Sequence, residues 1–161
     1  MTPIVLLDRL KDFIEEQTRD LLLSTRVKTN EKPQERPAAV YKMRLPNKEG
    51  ETKLIPYILL QFITGEDAQE KNKDPESGCM VRIVVATYSE DGETGAMDVL
   101  NVITRIRIAL LKTGVIGDQF LLKKPIEYLV YPDSTYPYFL GEMITRWELP
   151  TIEREVENLW Y

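Results

Sequence analysis

The sequence predicts an α+β fold, a mostly antiparallel sheet of about four to five strands with two main helices packed on one face. Three observations predict it. Two segments repeat apolar residues at helical spacing. Five shorter segments have the β-branched and aromatic character of strands. The order is α, β, β, β, α, β, β, and runs of strands with segregated helices make an α+β domain rather than an alternating parallel one. The whole chain, 1–161, reads as one domain. Residues 1–27 hold the first helix, 39–150 the sheet and second helix, and 151–161 a charged tail.

The first helix is expected over 3–24. Leu6, Leu10, Phe13, Ile14, Thr18 and Leu21 fall on one side, and Asp8, Arg9, Asp12, Glu15, Glu16 and Arg19 lie elsewhere. Thr2 and Pro3 suit a cap and a first helical position. Leu21-Leu22-Leu23 would widen the apolar face. Residues 28–38, KTNEKPQERPA, are polar and broken by prolines, so they read as a loop. Residues 39–45 alternate, with Tyr41, Met43 and Leu45 on one side of a short strand. PNKEGETK at 46–53 is then a turn.

Strands follow at 57–64, YILLQFIT, and at 79–89, CMVRIVVATYS. Between them, GEDAQEKNKDPESG at 65–78 has no apolar residue larger than alanine. It is long for a hairpin connection, and reads either as a solvated tip or as a contact loop. The second helix is expected over 95–113, with Val99, Val102, Ile103, Ile106, Ala109 and Leu110 in one stripe. Asp98, Asn101, Thr104, Arg105 and Lys112 lie opposite. Thr94 or Gly95 can cap its start and Gly114 can stop its end.

Two strands close the domain, at 120–131 and 138–149. Pro125 removes a ladder donor, so the first must be an edge strand or carry a bulge. In the second, Phe139, Gly141, Met143, Thr145, Trp147 and Leu149 share a face, and Tyr138, Leu140, Glu142, Ile144, Arg146 and Glu148 share the other. The first set is expected to anchor the core, with Phe139, Met143 and Trp147 under the helices. Pro132 and Pro137 bracket the turn between these strands.

Composition narrows the function. The net charge is −5 and the pI near 5.0, which argues against a protein that binds nucleic acid by neutralising phosphates. There is no histidine, so the commonest general base, metal ligand and triad partner are absent. One cysteine, Cys79, excludes an internal disulfide framework and suits a reducing compartment such as the cytoplasm. No apolar run is long enough to span a bilayer, so no membrane role is expected. There is no phosphate-cradling glycine loop, no zinc-protease helix and no EF-hand loop.

The remaining clusters have plain alternatives. Glu90-Asp91-Gly92-Glu93 could meet a hard cation but lacks the alternating spacing of a calcium loop. Arg82, Arg105, Arg107 and Arg146 could form an anion site, but the plainer reading is that they snorkel along apolar surface or pair with nearby carboxylates. Tyr128, Tyr131, Tyr136 and Tyr138 could stack on bases, but their neighbours are Glu127, Asp133 and Glu142 rather than basic residues. No enzyme activity, metal or cofactor is expected. The features left over, strands apolar on both faces and a charged segment between two of them, suit assembly.

Three stretches carry a resemblance. They are PYILLQFITGEDAQE, then CMVRIVVATYSEDGETGAMDVLNVITRIRIALLKTGVIGDQFLLKKPIEYLVY, then YPYFLGEMITRWELPTIERE. In order and spacing they resemble the tail terminator family of tailed bacteriophages, in the form found in prophages of Gram-positive bacteria. The resemblance covers residues 56–155. It implies a non-catalytic α+β subunit that forms a ring, usually a hexamer, on the last ring of the tail tube. It implies a stop to tube growth, a docking surface for the head-side connector, and DNA passing through the centre. It also implies a place in the virion tail after assembly in the host cytoplasm. Expected contact residues are Glu66, Asp67, Glu70 and Lys71 in the 65–78 segment, Glu90 and Asp91 in the 90–94 turn, and Tyr138, Leu140 and Ile144 on the last strand. A different head–tail neck or tail-completion protein of similar fold is the alternative. A small-ligand domain with the tyrosine-rich ribbon as its pocket is a more distant one.

Overall fold

The structure is a computed structural model and describes residues 2–26, 32, 34–46, 54–133 and 135–155. Helix α1 spans Pro3–Thr18. Strands β1 (Leu23–Ser24), β2 (Glu35–Arg36), β3 (Ala39–Lys42), β4 (Tyr57–Ala68) and β5 (Glu76–Tyr88) follow, then helix α2 (Gly95–Thr113), β6 (Val115–Ile116), β7 (Phe120–Val130) and β8 (Tyr138–Glu148). The main sheet has six strands in the order β3-β4-β5-β8-β7-β6, and β1 and β2 form a separate pair. Among the described residues only β3 with β4 is parallel, and the other pairs are antiparallel. The α+β class therefore holds. The strand count exceeds the expected four to five because β1, β2 and β6 are two-residue strands, too short to leave a periodic pattern.

Both helices cover one face. Leu6, Leu10 and Ile14 of α1 and Val99, Val102, Ile103, Ile106 and Leu110 of α2 pack on Ile58, Leu60, Val81, Ile83, Val85, Phe139, Met143 and Trp147. The period-2 alternation of β8 decides this, since its odd residues are buried and its even ones are half-buried or, at Glu148, exposed. Trp147 Nε1–H donates to Thr145 Oγ1 at 2.8 Å, and the Thr145 hydroxyl donates to the Val81 carbonyl at 2.9 Å. The buried indole and hydroxyl are thus both paired.

Helix α1 ends at Thr18, not at 24. Thr18 Oγ1 donates back to the Ile14 carbonyl at 2.8 Å, and Leu23 pairs with Arg36 in a ladder. Leu22 is exposed and Leu23 buried, the alternation of a strand rather than a widened helix face. β3 stops at Lys42 because Met43 adopts a left-handed backbone, φ 65°. Helix α2 matches its expected span, and Gly114 closes it in the left-handed conformation with its N–H on the Leu110 carbonyl. Pro125 falls where the β7–β8 register shifts between Lys123 and Glu127, so β7 carries the irregularity expected of it. Of the expected loops and tail, residues 27–31, 33, 47–53 and 156–161 lie outside the described residues, while 35–36 form β2.

The largest correction concerns residues 65–78. They are not a loop. β4 and β5 continue past the core as a ribbon, with Gly65 opposite Cys79, Glu66 opposite Gly78, Asp67 opposite Ser77 and Ala68 opposite Glu76. Only Gln69–Pro75 reverse the chain, with Asn72 at φ 64°. Ladder hydrogen bonds need no apolar side chains, so this arm left no hydrophobic pattern to read.

Candidate assembly interface

Seven of the nine expected contact residues fall into two groups at opposite ends of the strands, and Leu140 and Ile144 lie between them on β8. Glu66 and Asp67 stand on the arm and Glu70 and Lys71 at its turn, all exposed. Glu70 pairs with Lys73 at 2.6 Å. Glu90, Asp91 and Tyr138 gather at the other end, ten residues along β5 from Gly78, or roughly 33 Å at strand rise. There Tyr88 and Tyr138 stack at 5.8 Å, the Tyr88 hydroxyl donates to Glu90 at 2.9 Å, and Arg26 donates to the Tyr138 hydroxyl at 2.9 Å. Desolvation, and then the Glu90 contact, push the Tyr88 phenol above its ordinary value.

Asp91 has a structural task. Its carboxylate accepts from the Glu93 and Thr94 N–H groups at 3.0 and 3.2 Å, so it caps α2 in place of Thr94, whose side chain makes no cap bond. The Thr94 side chain, then the Glu93 and Thr94 N–H groups, hold Asp91 below the usual carboxylate range. Among the described residues no three acidic or thiol side chains converge as a metal site requires.

The sheet face away from the helices has a small core of its own. Tyr57 and Leu59 of β4 meet Val84 and Ala86 of β5, with Ile55 buried against them and Tyr41, Leu45, Leu54, Tyr138 and Leu140 around the rim. Leu140 and Tyr138 therefore pack within their own chain, and Ile144 stands half-buried further along β8. Beside this core, Arg82 pairs with Glu142 and donates to Gln61 at 3.2 Å and to the Tyr131 hydroxyl at 2.8 Å. Burial alone would lower the Arg82 guanidinium; the bonds with Glu142 and Tyr131 outweigh it and raise it. Arg36 pins the covering segment by donating to the Leu54, Pro56 and Pro37 carbonyls at 3.0, 3.0 and 3.1 Å. The alternating sequence of β8 pointed to this face, but nothing in the sequence tied Arg36 to Leu54 across 18 residues.

The four arginines are not brought together. Arg146 pairs with Glu127 at 3.2 Å, Arg105 with Asp20 at 2.7 Å, and Arg107 stacks over Tyr128 at 5.2 Å. Nor do the tyrosines form one platform. Tyr128 lies on the helix side opposite Met143, while Tyr131 meets Arg82 on the other face and Tyr136 donates to the Glu90 carbonyl at 2.7 Å. Larger grooves of about 520 and 540 Å³ run beside α1, and two smaller clefts border the arm and the far sheet face. One of about 330 Å³ lies at the base of the arm, between Gly65, Cys79, Lys123 and Trp147. Another of about 380 Å³ lies between Leu45, Leu59, Arg82 and Tyr131. Neither encloses a buried carboxylate or lysine of the kind a small-ligand or catalytic pocket uses.

No family model matches this chain, and no curated protein matches it by sequence. Thirty chains of solved structures are similar to it in fold. One of them, which carries no functional name, aligns at a TM-score of 0.50 over 94% of this chain and 95% of its own, with 12% of residues identical. A likeness at that identity speaks for the fold and not for the activity. No helix among the described residues is long and apolar enough to cross a membrane.

Proposed function

We propose that this protein is a structural ring subunit of a phage tail, of the tail-terminator kind. In this reading, copies of the chain close into a ring, usually of six, on the last ring of the tail tube. The ring ends tube growth and offers its other side to the head-side connector. DNA passes through the centre without being held, as suits a net charge of −5. The subunit is not an enzyme, and it works in the virion tail after assembly in the host cytoplasm.

The observation that carries the proposal is the arm. Residues 66–76 are ordered as a ribbon yet all exposed, so their ordering is offset by no burial within the chain. A segment of this kind suits a surface supplied by another subunit. The arm and the Tyr88–Tyr138 cluster lie at opposite ends of the same strands, as a ring with two different sides requires. The sequence resemblance over 56–155 supplies the particular assignment.

The test is to add the purified chain to polymerising tube protein and measure tube lengths by electron microscopy. Capped tubes of restricted length with extra density at one end are expected. Tubes that grow without limit and carry bare ends would refute the proposal.

A further inference from the structure

Charge is divided along this chain. The arm, 65–78, has five acidic residues and two lysines. Residues 104–124, which form the second half of α2 and the start of β7, have five basic residues and one acid. In a chain of net charge −5, this basic segment stands against the average. Much of it has no carboxylate partner. Arg105 pairs with Asp20 and Lys123 with Glu148 at 3.6 Å, but Arg107, Lys112 and Lys124 make no ion pair with the described residues. Arg107 is held over Tyr128 and its Nε is buried without an acceptor among those residues. On the arm, Glu66, Asp67, Asp74 and Glu76 likewise have no cationic partner among the described residues.

The patch is also apolar. Ile108 and Leu111, three residues apart on α2, are 42% and 38% exposed, while the exposed Val115 and Leu121 pair across β6 and β7 on the sheet face away from the helices. A solvent-facing apolar strip rimmed by charge marks an interaction surface. The topology sets arm and patch on different flanks. β4, the outer strand of the arm, lies toward one edge of the sheet, and β7 lies toward the other with α2 packed near it. A contact between two unlike flanks is heterologous and closes into a ring when its rotation allows.

We infer that the acidic arm of one copy docks on the basic α2–β7 flank of the next copy, through the arm face that carries Asp67 against Lys112 and Lys124. This contact rests on the reading of the chain as a ring subunit. It is made by side chains rather than by a shared ladder. Beyond Leu121 the outer edge of β7 carries Lys123, Lys124, Pro125 and a register shift, the devices that block strand-to-strand pairing. Exposed charges are screened by salt, so association should weaken as salt rises toward about 0.5 M.

Charge reversal tests the contact by sedimentation of the full chain. Glu66→Lys with Asp67→Lys, or Lys112→Glu with Lys124→Glu, should each weaken self-association by about tenfold or more. Mixing the two variants should restore it. All four side chains are exposed, so each variant should fold, and circular dichroism checks that it does. Disulfide trapping gives a second reading. With an added oxidant such as oxidised glutathione to take the two electrons, Asp67→Cys mixed with Lys112→Cys should form a mixed disulfide, and neither alone a disulfide dimer. Cys79 stays silent because burial pushes its thiol up to about 11. Association unchanged by either reversal, or no recovery on mixing, overturns the inference. If both reversed proteins still cap tubes as the parent does, this contact is wrong and the tail reading stands. If mixing restores association but the parent leaves tubes uncapped, the contact stands and the tail reading falls. A parent that is monomeric both in solution and at tube ends removes both.

Discussion

Gly141 of β8 lies directly beneath Val99 of α2. A Cβ built at position 141 would meet Val99 Cγ1 at 2.6 Å, the Leu129 carbonyl oxygen at 2.9 Å and Ile103 Cδ1 at 3.0 Å. The missing side chain is what allows α2 to sit close on the sheet. Gly141→Ala is therefore expected to cost about 1–3 kcal/mol by overpacking. Adding Val99→Ala should recover part of that cost and no more, because the Leu129 carbonyl cannot move aside. Urea unfolding of the two single variants and the double variant measures the coupling, and strictly additive losses would count against this packing.

Thr145 Oγ1 accepts from the buried Trp147 indole, which is 1% exposed and has no other acceptor among the described residues. Thr145→Val keeps the shape and removes that acceptor. A loss of about 1–3 kcal/mol is expected, the cost of a buried donor left unpaired. Thr87 predicts the reverse. It is 0% exposed and its hydroxyl has no partner among the described residues. Thr87→Val should be neutral or stabilising by about 1 kcal/mol, since it removes an unpaired polar atom without changing the shape. Equal losses in the two variants would show that hydroxyl pairing does not separate these sites.

Cys79 sets a pH dependence. Burial raises its thiol from 9.0 to about 11. The folded chain therefore keeps a proton that the unfolded chain loses between these values. Its contribution is complete below pH 9 and declines as pH rises toward 11. Unfolding free energies compared between pH 8 and pH 10.5 should fall more for the parent than for Cys79→Ala. Parallel pH profiles would rule out this account. At pH 8 the native thiol should also react slowly with a disulfide reagent, and at a normal rate once the chain is unfolded.

The arm should be dispensable for stability. Residues 68–76 are exposed throughout, and replacing Ala68–Glu76 with Asn-Gly leaves Asp67 opposite Ser77 to close a two-residue turn. The unfolding free energy is expected to change by less than about 0.5 kcal/mol. Glu66 and Asp67 remain on the shortened arm, so tube capping should be weakened, and lost only when both are also reversed to lysine. A large loss of stability would mean that the arm is part of the folding unit and not an appendage.

Apolar spacing alone determined much of this protein. It set the stripe Val99, Val102, Ile103, Ile106, Ala109 and Leu110, the inward set Phe139, Met143 and Trp147, and the α+β order, because burial of a helix stripe or a strand face leaves its period in the residues. The absence of histidine in the sequence made catalysis the weaker reading. Tertiary structure decided the rest. Leu21-Leu22-Leu23 suits a longer helix, yet the helix ends at Thr18, and Leu23 and Ser24 pair with Arg36 and Glu35 as a short strand. The arm has no apolar code, since its order comes from backbone hydrogen bonds that every residue can make. The union of Arg36 with Leu54 and of Arg82 with Tyr131 joins residues far apart in the chain, and no local pattern records which distant groups a fold will bring within hydrogen-bond reach.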